Sequence, residues 1–259
     1  SSADEKQDEA SIIERFSSFE EVTNACRTAG LDRCNLILGI DYSASNEWQG
    51  RKTFGQGCLH KTSGNKVYNP YQKVIWVLGQ TLAPFDEDGR IPSFGFADYE
   101  TRNKTIFSLT KSGLPCQGFS EVLDCYNQVV EFVYYGGPTS FVPIIDKAMK
   151  IVINSDNNYH ILIVITDGQL PEEEFSKTQK TLVKASQLPL SIIVIGVGDG
   201  PWDKMQRLEN PDKRYFNNFR FVEYHKTTNK MKHPDALLAL GALMDIPDQY
   251  KRIAELGYI

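Results

Sequence analysis

Two continuous runs of β-branched and aliphatic residues, His160–Thr166 (HILIVIT) and Leu190–Val197 (LSIIVIGV), constrain this chain more than any other feature. Neither alternates apolar with polar, so each predicts a strand covered on both faces, the situation of a parallel sheet flanked by helices. Two parallel strands need a long crossover, and the segment between them, Glu172 to Gln187, has the pattern of a helix.

The rest of the chain extends this alternation. Ser17 to Gly30 predicts a helix opened by a capping box, Ser17 with Glu20 or Ser18 with Glu21, and closed by Gly30. Asn35 to Ile40 predicts a strand, followed by a Gly- and Lys-rich loop over 47–69 and a helix starting near Pro70. Ile91 to Phe96 and Thr105 to Leu109 are candidate strands, and helices are expected over 119–135 and 141–154. Phe219 to Tyr224 is a weaker strand, and Pro234 to Leu256 forms one closing helix. With no linker-like shift in composition, the expectation is a doubly wound α/β domain with helices on both faces, from residue 16 to 259. Residues 1–15, polar and acidic, are expected to form a disordered or frayed lead-in.

Composition removes several classes of function. A formal net charge of −5 argues against a nucleic-acid surface, which requires clustered Lys and Arg. No apolar run approaches the roughly 20 residues needed to span a bilayer. Five cysteines, 26, 34, 58, 116 and 125, are an odd number without a C-x-x-C pair, so neither a zinc site nor a redox motif is expected. Free thiols imply a reducing compartment, and the expected address is cytoplasmic, with the nucleus or a peripheral place at membranes as variants.

Chemistry concentrates where strands end. In open α/β sheets ligands sit beyond the carboxyl ends of strands, where strand order reverses. Asp41 ends the first strand in Gly39-Ile-Asp-Tyr-Ser-Ala-Ser45, and Asp167 ends the strand from His160, with Gly168 allowing an immediate turn. If the two strands are neighbours, two carboxylates share one crevice, and a divalent cation relieves their repulsion. Ser43 and Ser45, alternating with Asp41, would face the same side along an extended path and add neutral oxygen ligands. Thr139, in Gly136-Gly-Pro-Thr-Ser140, is either a further ligand or the N-cap of the helix after it. Mg²⁺ suits such a donor set best, with Mn²⁺ or Ca²⁺ open.

Asp41-x-Ser43-x-Ser45, Thr139 and Thr166-Asp167-Gly168 together resemble the metal-ion-dependent adhesion site of von Willebrand factor A domains. Asn35–Trp48 (NLILGIDYSASNEW), Phe94-Gly-Phe96, Gly137-Pro-Thr-Ser-Phe141 and Gly196-Val-Gly-Asp-Gly200 are similar to the copine subgroup. Phe16–Thr23 (FSSFEEVT), Asn46-Glu-Trp48 and Gly200-Pro-Trp-Asp203 are similar to the plant RGLG ubiquitin ligases, which pair a copine-type A domain with a RING. The resemblance spans about residues 16–257. It implies a six-stranded, mainly parallel, Rossmann-like sheet with a metal at its top. It implies direct ligation by Ser43, Ser45 and Thr139, with Asp41 and Asp167 binding directly or through water. It also implies a protein partner that completes the coordination with an Asp or Glu.

The implied function is metal-dependent protein interaction rather than catalysis by this chain. Copines contact membranes through C2 domains, which do not fit ahead of residue 16, and no Cys/His ladder for a RING follows Leu256. One alternative is the substrate-recruiting part of a longer RING ligase whose RING lies beyond Ile259. A second is a Mg²⁺-dependent hydrolase, but position 43 is Ser where a haloacid-dehalogenase-like enzyme needs Asp, and no Lys or Arg adjoins either aspartate in sequence. Gly196-x-Gly-x-Gly200 has the wrong spacing for a dinucleotide loop. The histidines are assigned ordinary roles: His60 and His225 in polar loops, His160 at a strand start, and His233 capping the last helix.

Overall fold

The computed structural model describes residues 18–259. The lead-in expected over residues 1–15, the domain start at residue 16 and the Ser17 cap lie outside the described residues. Ser18 opens helix α1 (Phe19–Thr28), its Oγ accepting from the Glu21 N–H at 3.2 Å, and Gly30 turns the chain away with φ +97°.

The main sheet has six strands. In chain order these are β1 (Asn35–Asp41), β3 (Ser93–Phe96), β4 (Ile106–Ser108), β6 (His160–Thr166), β7 (Leu190–Gly196) and β8 (Phe219–Glu223). Their spatial order is β4-β3-β1-β6-β7-β8, parallel except for the antiparallel edge strand β4. A separate two-stranded sheet pairs β2 (Arg90–Ile91) with β5 (Cys116–Gln117). The strand expected over Ile91 to Phe96 is therefore split, and Pro92 marks the break because it has no N–H to donate to a ladder.

All seven residues of β6 are buried, and alternate ones enter opposite cores. Ile161, Ile163 and Ile165 pack with α2 (Pro70–Leu82), α3 (Gly118–Phe132) and α8 (Pro234–Leu243). Leu162 and Val164 pack with α4 (Val142–Asn154), α5 (Glu172–Ala185) and α6 (Asp203–Leu208). This two-sided cover is why the run carries no alternation. The fold is doubly wound α/β.

Two short helices were not legible in the sequence: α6, and α7 (Tyr224–Thr228). The single closing helix expected over Pro234 to Leu256 is two, α8 and α9 (Ile246–Glu255). Pro247 sits in the first turn of α9, where its missing N–H is harmless; inside a continuous helix its ring would clash with the preceding turn. Among the described residues, no helix is long and apolar enough to cross a membrane.

Candidate metal centre

The order of the sheet brings the carboxylates together. From β1 the chain winds outward to β3, whereas β6 winds the other way to β7, so strand order reverses between β1 and β6. Those strands pair in parallel with Ile40 opposite Ile165, so Asp41 lies level with Thr166, one residue before Asp167. Asp41 and Asp167 are both 0% exposed. Thr166 Oγ1 donates to Asp41 Oδ2 at 2.6 Å, and the Ser43 N–H donates to Asp41 Oδ1 at 2.7 Å.

Ser43 and Ser45 meet by a different route from the one expected. The extended path stops at Ser43, and residues Ala44–Glu47 form a 3-10 helix. The tight turn still brings Ser43 Oγ and Ser45 Oγ to 3.2 Å, and Ser45 Oγ donates to Asp167 Oδ2. The Gln169 N–H donates to the other Asp167 oxygen at 3.2 Å. Gly168 turns the chain with φ +71°, and a Cβ there would fall 2.7 Å from the Trp202 ring.

Gly136, three residues before Thr139, is tied to the serine turn by backbone. Gly136 bridges Ser43: its N–H donates to the Tyr42 carbonyl at 3.2 Å, and its carbonyl accepts from the Ala44 N–H. A Cβ on Gly136 would lie 2.4 Å from the Tyr99 nitrogen, so only glycine lets this segment lie between residues 98–99 and 42–44. Thr139 is buried at 3% exposure. It is not a helix cap: the N-cap position of α4 is Phe141, and Ser140 Oγ accepts from the Val142 N–H at 3.2 Å.

A polar and aromatic network supports the crevice from below, and sequence reasoning missed most of it. Asn46 Nδ2 donates to the Ser43 carbonyl at 3.0 Å and to Ser43 Oγ at 3.1 Å, and Tyr71 Oη donates to Asn46 Oδ1 at 2.6 Å. His60, expected in a polar loop with an ordinary role, is 2% exposed and stacks on Tyr71 with ring centroids 3.9 Å apart. Its Nε2–H donates to the Asp41 carbonyl at 2.8 Å, while Nδ1 accepts from Tyr126 Oη at 2.7 Å. Asn69 Nδ2 donates to the same tyrosine oxygen at 3.1 Å while its Oδ1 caps α2. The polar flank of His60 in sequence hid its burial, because long-range packing rather than local composition buries that loop. His233 does stand at the N-cap of α8, but without a side-chain hydrogen bond.

The electrostatics are one-sided. Burial raises the Asp41 carboxyl above its usual value, against hydrogen bonds from Thr166 and Ser43. Asp167 is pushed well above the carboxylate range, first by burial and then by the charge of Asp41. Burial lowers His60 to about 3, so the imidazole beneath them is neutral. Among the described residues, no Lys or Arg side chain hydrogen-bonds either carboxylate. The crevice gathers the carboxylates of Asp41 and Asp167 with the hydroxyls of Ser43, Ser45 and Thr166, oxygen donors of the kind a hard cation accepts.

A mainly parallel sheet in this order, with an oxygen-lined crevice at its switch point, is the architecture of a von Willebrand factor A type domain. The family model described as Copine matches residues 58–259. The chain belongs to the copine family. It is 45% identical over 251 residues to Copine family protein 2 of Caenorhabditis elegans, an alignment covering 95% of this chain and 3% of that protein. It is 43% identical over 265 residues to E3 ubiquitin-protein ligase RGLG4 of Arabidopsis thaliana, covering 97% of this chain and 66% of that protein. The chain thus spans a small part of the first relative and just under two thirds of the second. Among solved structures, manganese-loaded TRAP protein of Plasmodium vivax is 16% identical with a TM-score of 0.48, covering 79% of this chain and 74% of that one.

Proposed function

We propose that residues 16–259 act as one metal-dependent protein-interaction domain. Asp41, Ser43, Ser45, Thr139 and Asp167 would hold one divalent cation, Mg²⁺ by the hardness of its ligands, and a partner's Asp or Glu would complete the coordination. The observation that carries this reading is a pair of fully buried, neighbouring carboxylates held by serine and threonine hydroxyls, with no Lys or Arg side chain among the described residues hydrogen-bonded to either. Unit charges about 4 Å apart repel by about 4 kcal/mol at the effective dielectric of a protein rim, which a dication reverses. The two carboxylates balance the dication's formal charge and the three hydroxyls add none, so the solvent-facing coordination position stays open to an incoming carboxylate rather than being filled by a further anionic ligand of the chain.

The surface around the crevice fits a protein partner. Trp48, three residues beyond Ser45, is 45% exposed, and Tyr99 and Tyr134, joined by the Tyr99 N–H to Tyr134 carbonyl bond of 2.9 Å, are 60% and 77% exposed. Exposed aromatics with a polar anchor are the composition of interface hot spots. Ligase activity of a whole protein is a second reading. It rests on the relatives named E3 ubiquitin-protein ligases, and in it this domain recruits the substrate of a longer RING ligase. Five free thiols suit a reducing, cytoplasmic setting.

The test is calorimetric titration of the chain with Mg²⁺ and Mn²⁺. One saturable site is expected, lost in Asp41→Ala. With Mn²⁺ bound, water-proton relaxation should fall when a short acidic peptide is added, as its carboxylate displaces a metal-bound water. Absence of saturable binding by wild type sinks the metal site, and relaxation insensitive to the peptide sinks the carboxylate partner.

A further inference from the structure

Cys116 and Cys125 are too far apart in sequence to form a metal-binding pair by the usual short spacing, and yet the fold joins them. Cys116 lies in β5, opposite Ile91 of β2, and α3 starts two residues later at Gly118. Glu121 and Cys125, four residues apart, share one face of α3, so the first turns of the helix carry both back over β5. The Gln117 N–H donates to Glu121 Oε2 at 2.9 Å, which fixes this carboxylate above the strand. One ligand atom from each of Cys116, Glu121 and Cys125 lies within 4.8 Å of the others.

Tetrahedral zinc, with Zn–S about 2.3 Å and Zn–O about 2.0 Å, places neighbouring ligand atoms roughly 3.5–3.8 Å apart. The observed ligand atoms, all within 4.8 Å of one another, lie about 1 Å beyond those separations. Cys116 is fully buried and Cys125 and Glu121 are half-buried, so the site is open on one side. We propose that Cys116, Glu121 and Cys125 form a second metal site, for a thiophilic divalent cation of the Zn²⁺ class, with the fourth position left to water. Binding forms two metal–sulfur bonds and one metal–oxygen bond, releases the two thiol protons to solvent and leaves a centre of net charge −1. Soft sulfur donors discriminate against Mg²⁺, so this site and the oxygen crevice would select different metals in one molecule. The proposal stands independently of the function proposed above.

The experiment is a Co²⁺ titration of the full chain, kept reduced with a phosphine and in excess Mg²⁺, read by sulfur-to-cobalt charge-transfer absorption. The band should saturate at one equivalent in wild type, in Asp41→Ala and in Cys58→Ser, and Zn²⁺ should displace it. It should vanish in Cys125→Ser, whose half-buried position tolerates the change, and in Cys116→Ala. Glu121→Gln should weaken cobalt binding by about tenfold or more, as loss of even an outer-sphere partner typically does. No sulfur band in wild type, or a band that survives Cys125→Ser, overturns the site. Absence of Mg²⁺ binding by wild type with the cobalt band intact would count against the oxygen crevice alone.

Discussion

The middle and the end of the same two strands obey opposite rules. Over Leu36–Ile40 and Ile161–Ile165, β1 and β6 bury side chains in two apolar cores with nothing left over. At the next one or two positions, Asp41 and Asp167 are just as buried, but they are titratable and adjacent, and among the described residues no Lys or Arg side chain hydrogen-bonds either. The strand middles lower the free energy of folding. The strand ends raise it, and such a cost is expected where a ligand is to be bound. One or two residues separate the apolar cores from the proposed metal site.

If that separation is right, each end should respond to its own perturbation. The largest effect belongs to Asp41→Ala, which should reduce Mg²⁺ affinity by about a hundredfold or more in calorimetry. Its metal-free melting temperature should not fall, because the variant also removes a like-charge contact. Ile163→Ala, in the middle of β6, should do the reverse: about 3 kcal/mol lost in urea denaturation, with Mg²⁺ affinity unchanged once folded.

His60 lies between the two regimes and gives a pH signature. Its folded pKa is lowered to about 3, against roughly 6.5 in the unfolded chain. Below pH 6.5 the unfolded chain takes up a proton that the folded one refuses, so stability falls as pH drops from 6.5 toward 3. The slope is about 1.4 kcal/mol per pH unit, or about 2 kcal/mol between pH 6.5 and 5. Denaturation of His60→Gln should show that share of the acid sensitivity missing, and an unchanged profile would remove the buried neutral imidazole. The smallest effect is that of Tyr71→Phe. It deletes the 2.6 Å bond to Asn46 and should cost about 1 kcal/mol of stability, with a few-fold weaker Mg²⁺ binding because Asn46 orients Ser43.

Much of this was legible from local pattern. The two aliphatic runs announced parallel strands because two-sided burial leaves no polar face to encode, and β6 and β7 fall where the runs do. Asp41 and Asp167 stood out because charge at the end of such a run has few structural uses. The break at Pro92 and the divided closing helix around Pro247 were also in the sequence, and the rule for proline predicts both. By contrast, nothing near His60 advertises that Tyr42, Tyr71 and Tyr126 will surround it, since those rings arrive from β1's end, α2 and α3. The thiol corner was hidden differently: the eight residues between Cys116 and Cys125 match no familiar metal motif, and only the turn from β5 into α3 brings the two together.

The sequence alone determined the elements and the chemical character of the strand ends, because periodicity and residue type act locally. Which ends meet was decided by tertiary structure. The reversal of strand order sets Asp41 beside Thr166 and Asp167, and the Gly136 bridge brings the Thr139 segment alongside. Such contacts join residues far apart in the chain, and only packing of the whole sheet can bring them into register.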